Sequence, residues 1–334
     1  MNKPLNSPLW TPRAPLMQDH ACALSIVVPV FNERESLPLL QQRLLAALAL
    51  VDETVEIVYV DDGSLDGSDG VLKQLRAACP FVSVLRFSRN FGKELALTAG
   101  LQMARGEAVI VMDSDLQHPP ERIPDMVAAW RAGADVVSMR RRSREDESWL
   151  KRSAAGMFYR TINRLSDVPI PDGVGDFRLL SRRAVDALNQ MPERNRFMKG
   201  LFAWIGFEQQ MLDYDVGERV GGETKWRFRQ LWNFAVEGIT AFSIAPLKIA
   251  TKLGLLSSLA SFVFGLYCFA RALIWGDPVP GYPTLIVVVL MLGGLQLLAI
   301  GVLGEYIGRL SLESKRRPLY LIQTYEPATG LGTT

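Results

Sequence analysis

The chain has 334 residues, 49% of them hydrophobic and 22% charged, which leaves room for roughly two domains of about 150 residues and excludes a disordered or fibrous protein. Its 37 Lys and Arg nearly balance 35 Asp and Glu, for a net charge of +2, and that balance argues against a nucleic-acid partner. With 3 cysteines far apart from one another and only 2 histidines, neither a disulfide framework nor a Cys/His metal cluster can be built.

Residues 1–23 read as an N-terminal extension, since Asp19, His20 and interspersed prolines leave no apolar core for a cleaved signal peptide. A β-rich apolar run over residues 24–30 precedes a helical pattern from Ser36 to Leu50. Residues 55–60 form the next strand, which ends at Asp61-Asp62-Gly63-Ser64. A helix near residues 70–78, a strand over 82–87, a helix over 93–104 and a strand over 108–112 follow, the last stopping at Asp113. This alternation predicts an α/β domain with a mostly parallel sheet covered by helices on both faces. In such sheets ligands bind beyond the carboxyl ends of the strands, where Asp61, Asp62, Asp113 and Asp115 all fall.

Asp113-Ser114-Asp115 carries the most chemical information. Two carboxylates one residue apart, where a buried strand runs out, suit a hard divalent cation that completes its shell with water and substrate phosphate oxygens. Gln117 is positioned to add a ligand, and His118 reads as a hydrogen-bonding loop residue; Asp-x-Asp alone fits a solvated turn equally well. Asp61-Asp62-Gly63-Ser64 suits either an Asx turn or acceptors for nucleobase N–H groups. Glu33, in Pro29-Val30-Phe31-Asn32-Glu33, falls near a ribose hydroxyl in that arrangement.

The charged run from Arg140 to Arg152 follows a strand and reads in part as a solvated face, with anionic headgroups as a further use for its arginines. Over residues 226–250, Trp226, Phe228, Trp232, Phe234 and Phe242 interleave with Arg227, Arg229 and Glu237, a pattern for helices lying at a membrane interface. Two apolar runs follow, about 253–275 and 284–307, each long enough to cross about 30 Å of hydrocarbon. Lys248 and Lys252 before them, and Arg309, Lys315, Arg316 and Arg317 after them, place both termini in the cytoplasm. The expected organisation is a head domain over 24–225, a membrane hairpin over 251–308 and a cytosolic tail over 309–334. Gly301, Gly304 and Gly308 permit close helix approach, so self-association into a homo-oligomer is expected.

Val-Pro-Val-Phe-Asn-Glu, Asp-Asp-Gly-Ser and Asp-Ser-Asp-Leu-Gln, followed by two spans, resemble the family 2 inverting glycosyltransferases, and within them the polyprenyl-phosphate branch. Ser88-Arg-Asn-Phe-Gly-Lys, Gly175-Asp-Phe-Arg-Leu, Glu193-Arg-Asn-Arg-Phe-Met-Lys-Gly and Gly222-Glu-Thr-Lys-Trp are similar to the bactoprenol glucosyltransferases; the dolichyl-phosphate mannose synthases are related. The resemblance implies a GT-A fold and transfer of a sugar, glucose from UDP-glucose first among the candidates, to undecaprenyl phosphate at a bacterial inner membrane. It implies nucleotide contacts from Pro29, Phe31, Glu33, Val60, Asp61, Asp62, Asp113 and Ser114, with Mg²⁺ or Mn²⁺ held by Asp113, Asp115 and Gln117. Arg219 and Lys225 would neutralise phosphate charge, although Thr224 and Trp226 depart from the serine and tyrosine of the mannose synthases. Arg140 and Arg152 would meet the acceptor phosphate. Asp176 joins Asp115 in the catalytic set; it would act as a base, orient the acceptor or Arg178, or simply pair with Arg178. A processive polysaccharide synthase is disfavoured because Gln-x-x-Arg-Trp is absent from the chain. A non-catalytic nucleotide-sugar-binding scaffold is the alternative from another class. GlcNAc, galactose and aminoarabinose are the other sugars the pattern admits.

Overall fold

The computed structural model describes residues 22–141, 174–191, 193–194, 196–214, 245–275 and 281–332. Strands β1 (Leu24–Val30), β2 (Val55–Asp61), β3 (Val82–Phe87) and β4 (Ala108–Val111) are rich in Val, Ile and Leu and almost entirely buried. Strands covered on both faces require that composition. They run parallel in the order β4-β1-β2-β3. Helices α1 (Leu37–Leu48), α2 (Ser68–Ala78) and α3 (Lys93–Met103) make the crossovers, each close to its expected place.

Beyond this core the sheet is mixed. β6 (Val174–Ser181) lies antiparallel between β4 and β5 (Val136–Arg141), and β7 (Gln209–Tyr214) runs parallel to β5. The full order is β7-β5-β6-β4-β1-β2-β3-β8, with β8 (Ile322–Glu326) antiparallel to β3. Helices α1, α2 and α4 (Ile123–Arg131) cover one face of the sheet. Helices α3, α5 (Arg182–Gln190) and α6 (Met198–Trp204) cover the other.

Within the segment expected as a cytosolic tail, residues 309–314 finish the last helix and Ile322–Glu326 form the outer strand of the sheet. Tyr320 stacks on Phe87 with ring centroids 4.8 Å apart, and its hydroxyl donates to Gln102 Oε1 at 2.5 Å. The Thr329 and Gly330 amides donate to the Pro80 carbonyl, and Gly332 bridges to Val55. β8 is a short, mostly exposed strand with little apolar signal of its own, so the pairing with β3 is what creates it.

Helices α7 (Ala245–Trp275) and α8 (Tyr282–Ser314) pack against each other and cover the two segments expected as spans. Both leave large apolar side chains exposed, Leu255 and Phe262 on α7 and Leu297 and Ile300 on α8 among them, a kind of surface that marks protein or membrane interaction sites. Among the described residues, Met291–Ser314 is long and apolar enough to cross a membrane, and Ile249–Phe264 is a shorter apolar stretch. Of the expected interfacial segment, residues 226–244 lie outside the described residues, while 245–250 begin α7.

Candidate active site

Three loops at the carboxyl ends of β1, β2 and β4 meet on one rim of the sheet, and each turns through a left-handed residue: Asn32 at φ 56°, Gly63 at φ 70° and Leu116 at φ 63°. For leucine that conformation is rare and costly, so the surrounding packing must impose it; Leu116 is fully buried. At Gly63 a Cβ would stand 2.5 Å from the Arg89 carbonyl carbon, so only glycine admits the close approach of the loop after β3.

Side chains lace the loops together. The Asn32 amide donates to Ser64 Oγ at 3.0 Å, the Glu33 amide to Ser68 Oγ at 3.0 Å, and the Leu65 amide to Asn32 Oδ1 at 2.9 Å. The Ser36 hydroxyl donates to Glu33 Oε2 at 2.7 Å. Pro29 and Val60 are buried strand residues, and Phe31 is 45% exposed at the rim. Asp61 is wholly buried; it accepts the Ser64 amide at 2.9 Å and stands 3.3 Å from Arg86 Nε, the Asx-turn arrangement. Both Asp62 oxygens accept backbone amides, from Phe91 at 2.6 Å and Gly92 at 2.9 Å, so Asp62 ties the β2 loop to the start of α3.

The Asp113 amide donates to His118 Nδ1 at 2.9 Å, which requires the His118 proton to sit on Nε2. That ring lies parallel to Phe177 at 5.1 Å. Ser114 is buried, and the Gln117 amide donates to Asp115 Oδ1 at 3.1 Å. Asp176, on β6, reaches Asp113 through a lysine that the sequence reading left without a role. Lys93 Nζ lies 2.6 Å from Asp113 Oδ1 and 2.6 Å from Asp176 Oδ2. Arg178, proposed as an Asp176 partner, turns to the Gly175 carbonyl at 2.7 Å and lies 3.9 Å over the Phe202 ring. The guanidinium of Arg140 is held by Asp213 on the neighbouring strand, at 2.7 and 3.2 Å. Arg152, Arg219 and Lys225 lie outside the described residues.

One signal for Lys93 was present in the sequence. It opens α3, and a cation at a helix N-terminus works against the macrodipole, so it needs anions from elsewhere. Its side chain is 42% exposed; the desolvation it suffers against the sheet disfavours the ammonium, but the charges of Asp113 and Asp176 outweigh that and hold it above the ordinary lysine range. Burial likewise disfavours the Asp176 carboxylate, yet Lys93 and Lys199 keep its carboxyl well below the usual range.

Glu94 is the opposite case. Burial, reinforced by the charge of Asp176, pushes its carboxyl from 4.5 up to about 7, while its Oε2 accepts the Met198 amide at 2.9 Å. The folded protein then binds this proton more tightly than the unfolded one. The stability this contributes is complete below about pH 4.5 and is lost as pH rises through about 7. Glu94→Gln is expected to gain roughly 2–3 kcal/mol over the wild type at pH 8, with the gain shrinking at pH 5. Thermal unfolding at the two pH values checks it; equal differences at both would refute the assignment.

The donor set fits a hard cation in part. Asp113 and Asp115 supply oxygens from a strained loop, and the position beside Asp113 already holds a positive group. One Asp176 oxygen is buried with no hydrogen-bond partner among the described residues. No group of three or more His, Cys, Asp or Glu suited to a metal occurs among the described residues. Asp113 and Asp115 alone would leave a bound divalent cation to complete its shell with other oxygens.

Residues 25–188 match the family described as Glycosyl transferase family 2, and residues 245–310 match the GtrB C-terminal hairpin. The bactoprenol glucosyl transferase of Shigella phage SfV is 47% identical over 300 residues, covering 90% of this chain and 98% of its own. The prophage bactoprenol glucosyl transferase homolog of Escherichia coli K12 is 46% identical over 90% of this chain and 98% of its own. The putative glycosyltransferase CsbB of Bacillus subtilis is 43% identical over 90% of this chain and 91% of its own.

Proposed function

The chain belongs to glycosyl transferase family 2, and from that premise we propose that it moves glucose from UDP-glucose to undecaprenyl phosphate at the cytoplasmic face of a bacterial cell membrane, with inversion. The observation that carries this reading is similarity to bactoprenol glucosyl transferases along 90% of the chain, head and hairpin together. The domain division follows from it: a catalytic head over residues 24–225 and a two-span hairpin within α7 and α8, with β8 added to the head. The exposed apolar side chains of both helices support the hairpin's place in the bilayer.

In this reading the nucleoside lies over the rim formed by the loops after β1 and β2, with Phe31 and Glu33 reaching it directly. Asp61 and Asp62 shape the rim from beneath through their backbone partners. Asp113, Asp115 and Gln117 hold Mg²⁺ or Mn²⁺, which when bound supplies Lewis-acid stabilisation of the departing diphosphate. Because Arg140 is taken up by Asp213, acceptor-phosphate binding falls to Arg152, with Arg219 and Lys225 on the diphosphate. The acceptor phosphate, with a second pKa near 6, is largely dianionic at neutral pH. One of its oxygens forms the new bond to the anomeric carbon as the bond to UDP breaks, and no proton need be removed. Holding the two reactants in line is then the main task of the protein.

The test is transfer of labelled sugar from a panel of UDP-sugars to undecaprenyl phosphate in detergent with Mg²⁺ or Mn²⁺. An EDTA-sensitive, organic-extractable product from UDP-glucose is expected. Product from UDP-GlcNAc, UDP-galactose or an aminoarabinose donor alone would replace glucose. UDP binding without any lipid product would favour a non-catalytic scaffold.

A further inference from the structure

Lys93 sits where a metal-dependent site would be expected to keep space for its cation. Its ammonium is 2.6 Å from one oxygen of Asp113 and 2.6 Å from one oxygen of Asp176, so those carboxylates stand no more than about 5 Å apart. Without a cation between them, like charges at that separation repel strongly. The bridge joins the loop after β4 to β6, with Lys93 projecting from the first turn of α3 and lying 83 positions from Asp176 along the chain. A cation on the Asp113 oxygen and an ammonium on the same oxygen exclude each other by charge.

We propose that Lys93 is a resident counter-cation: it bridges Asp113 and Asp176 while nucleotide is absent and gives up Asp113 to the divalent cation that arrives with the diphosphate. This rests on Asp113 and Asp115 being the metal ligands of the proposed transferase. A bare divalent cation must displace a tethered ammonium and gains few protein ligands in return. A cation carried by a nucleoside diphosphate brings phosphate oxygens of its own, and the freed ammonium, still held by Asp176, faces those phosphates. Metal and nucleotide binding are thereby coupled, and the acidic rim stays neutralised before substrate arrives.

The test is Mn²⁺ binding to the full-length protein in detergent, followed by electron paramagnetic resonance with and without UDP. In the wild type, UDP should tighten Mn²⁺ binding at least tenfold. Lys93→Met and Lys93→Gln should bind Mn²⁺ without UDP at least tenfold more tightly than the wild type. Lys93→Arg, which keeps the charge, should behave as the wild type does. Mn²⁺ alone should raise the melting temperature of either neutral variant more than that of the wild type, so one variant that folds is sufficient. Unchanged or weaker Mn²⁺ binding in the neutral variants, with wild-type binding in the presence of UDP intact, would overturn the role of Lys93 alone. A wild type that takes up no Mn²⁺ even with UDP would overturn both this role and the metal site itself. A wild type whose Mn²⁺ affinity ignores UDP would overturn the coupling directly.

Discussion

Replacing Asp115 with Ala is expected to lower sugar transfer by roughly 10²–10³-fold, the cost of removing a preorganised electrostatic stabiliser of a developing anion. The loop is held by His118 and the buried Leu116 as well as by Asp115, whose Oδ1 accepts the Gln117 amide, so the substitution removes a charge and one local hydrogen bond worth about 1 kcal/mol and leaves the rest of the scaffold standing. His118 still accepts the Asp113 amide, and Leu116 still fills its buried place. The measurement is product formation at saturating UDP-sugar across a range of Mn²⁺, alongside the melting temperature. A loss of activity with a melting temperature lowered by no more than about 4 °C is the expected pair of results. Full activity with metal dependence retained would remove Asp115 from the metal site.

Asp176→Asn is expected to cost about 10²-fold in transfer, and the loss should be uniform from pH 6 to pH 9. The reason lies in its surroundings. Lys93 and Lys199 overcome the burial penalty and keep the Asp176 carboxyl far below the usual range, and so weak a base accepts protons poorly. Its carboxylate is ionised throughout the working range; the stability it contributes would be lost only as pH falls far below the ordinary aspartate value. The acceptor phosphate needs little general-base help, so Asp176 is better suited to hold Lys93 and the acceptor in place. If the pH profile of the wild type has an acidic limb that Asp176→Asn abolishes, the residue is a general base after all.

The part of this architecture that could be read from the sequence is the part encoded locally. β1 to β4 announce themselves as apolar runs, β2 and β4 closed by Asp, and Asp113-Ser114-Asp115 is legible because a strand visibly ends there. The Asp113–Lys93–Asp176 triad is not local. It depends on β6 entering the sheet antiparallel beside β4, and no periodicity within residues 174–181 indicates which strand they will join. Arg178 shows the same gap: a pair with Asp176 is one of several roles the sequence leaves open, and the structure sets the guanidinium over an aromatic ring from α6. β8 was hidden for another reason. Its residues alternate weakly and stay mostly exposed, so only the open edge of β3 makes them a strand.

The two strands that flank the helical hairpin in the chain, β7 before it and β8 after it, are the opposite edges of the sheet. The chain therefore leaves the sheet from one edge before the hairpin and rejoins it at the other edge after it. The Arg194 amide adds a further tie, donating to Glu313 at the end of α8 at 2.7 Å. Of the two connections, the one between α8 and β8 is the shorter, and with the Arg194–Glu313 contact beside it, it keeps the sheet near the end of the hairpin. In the proposed reaction the acceptor phosphate stays in the plane of the headgroups, so a head kept near the end of the hairpin would meet it by a search in two dimensions and not in three.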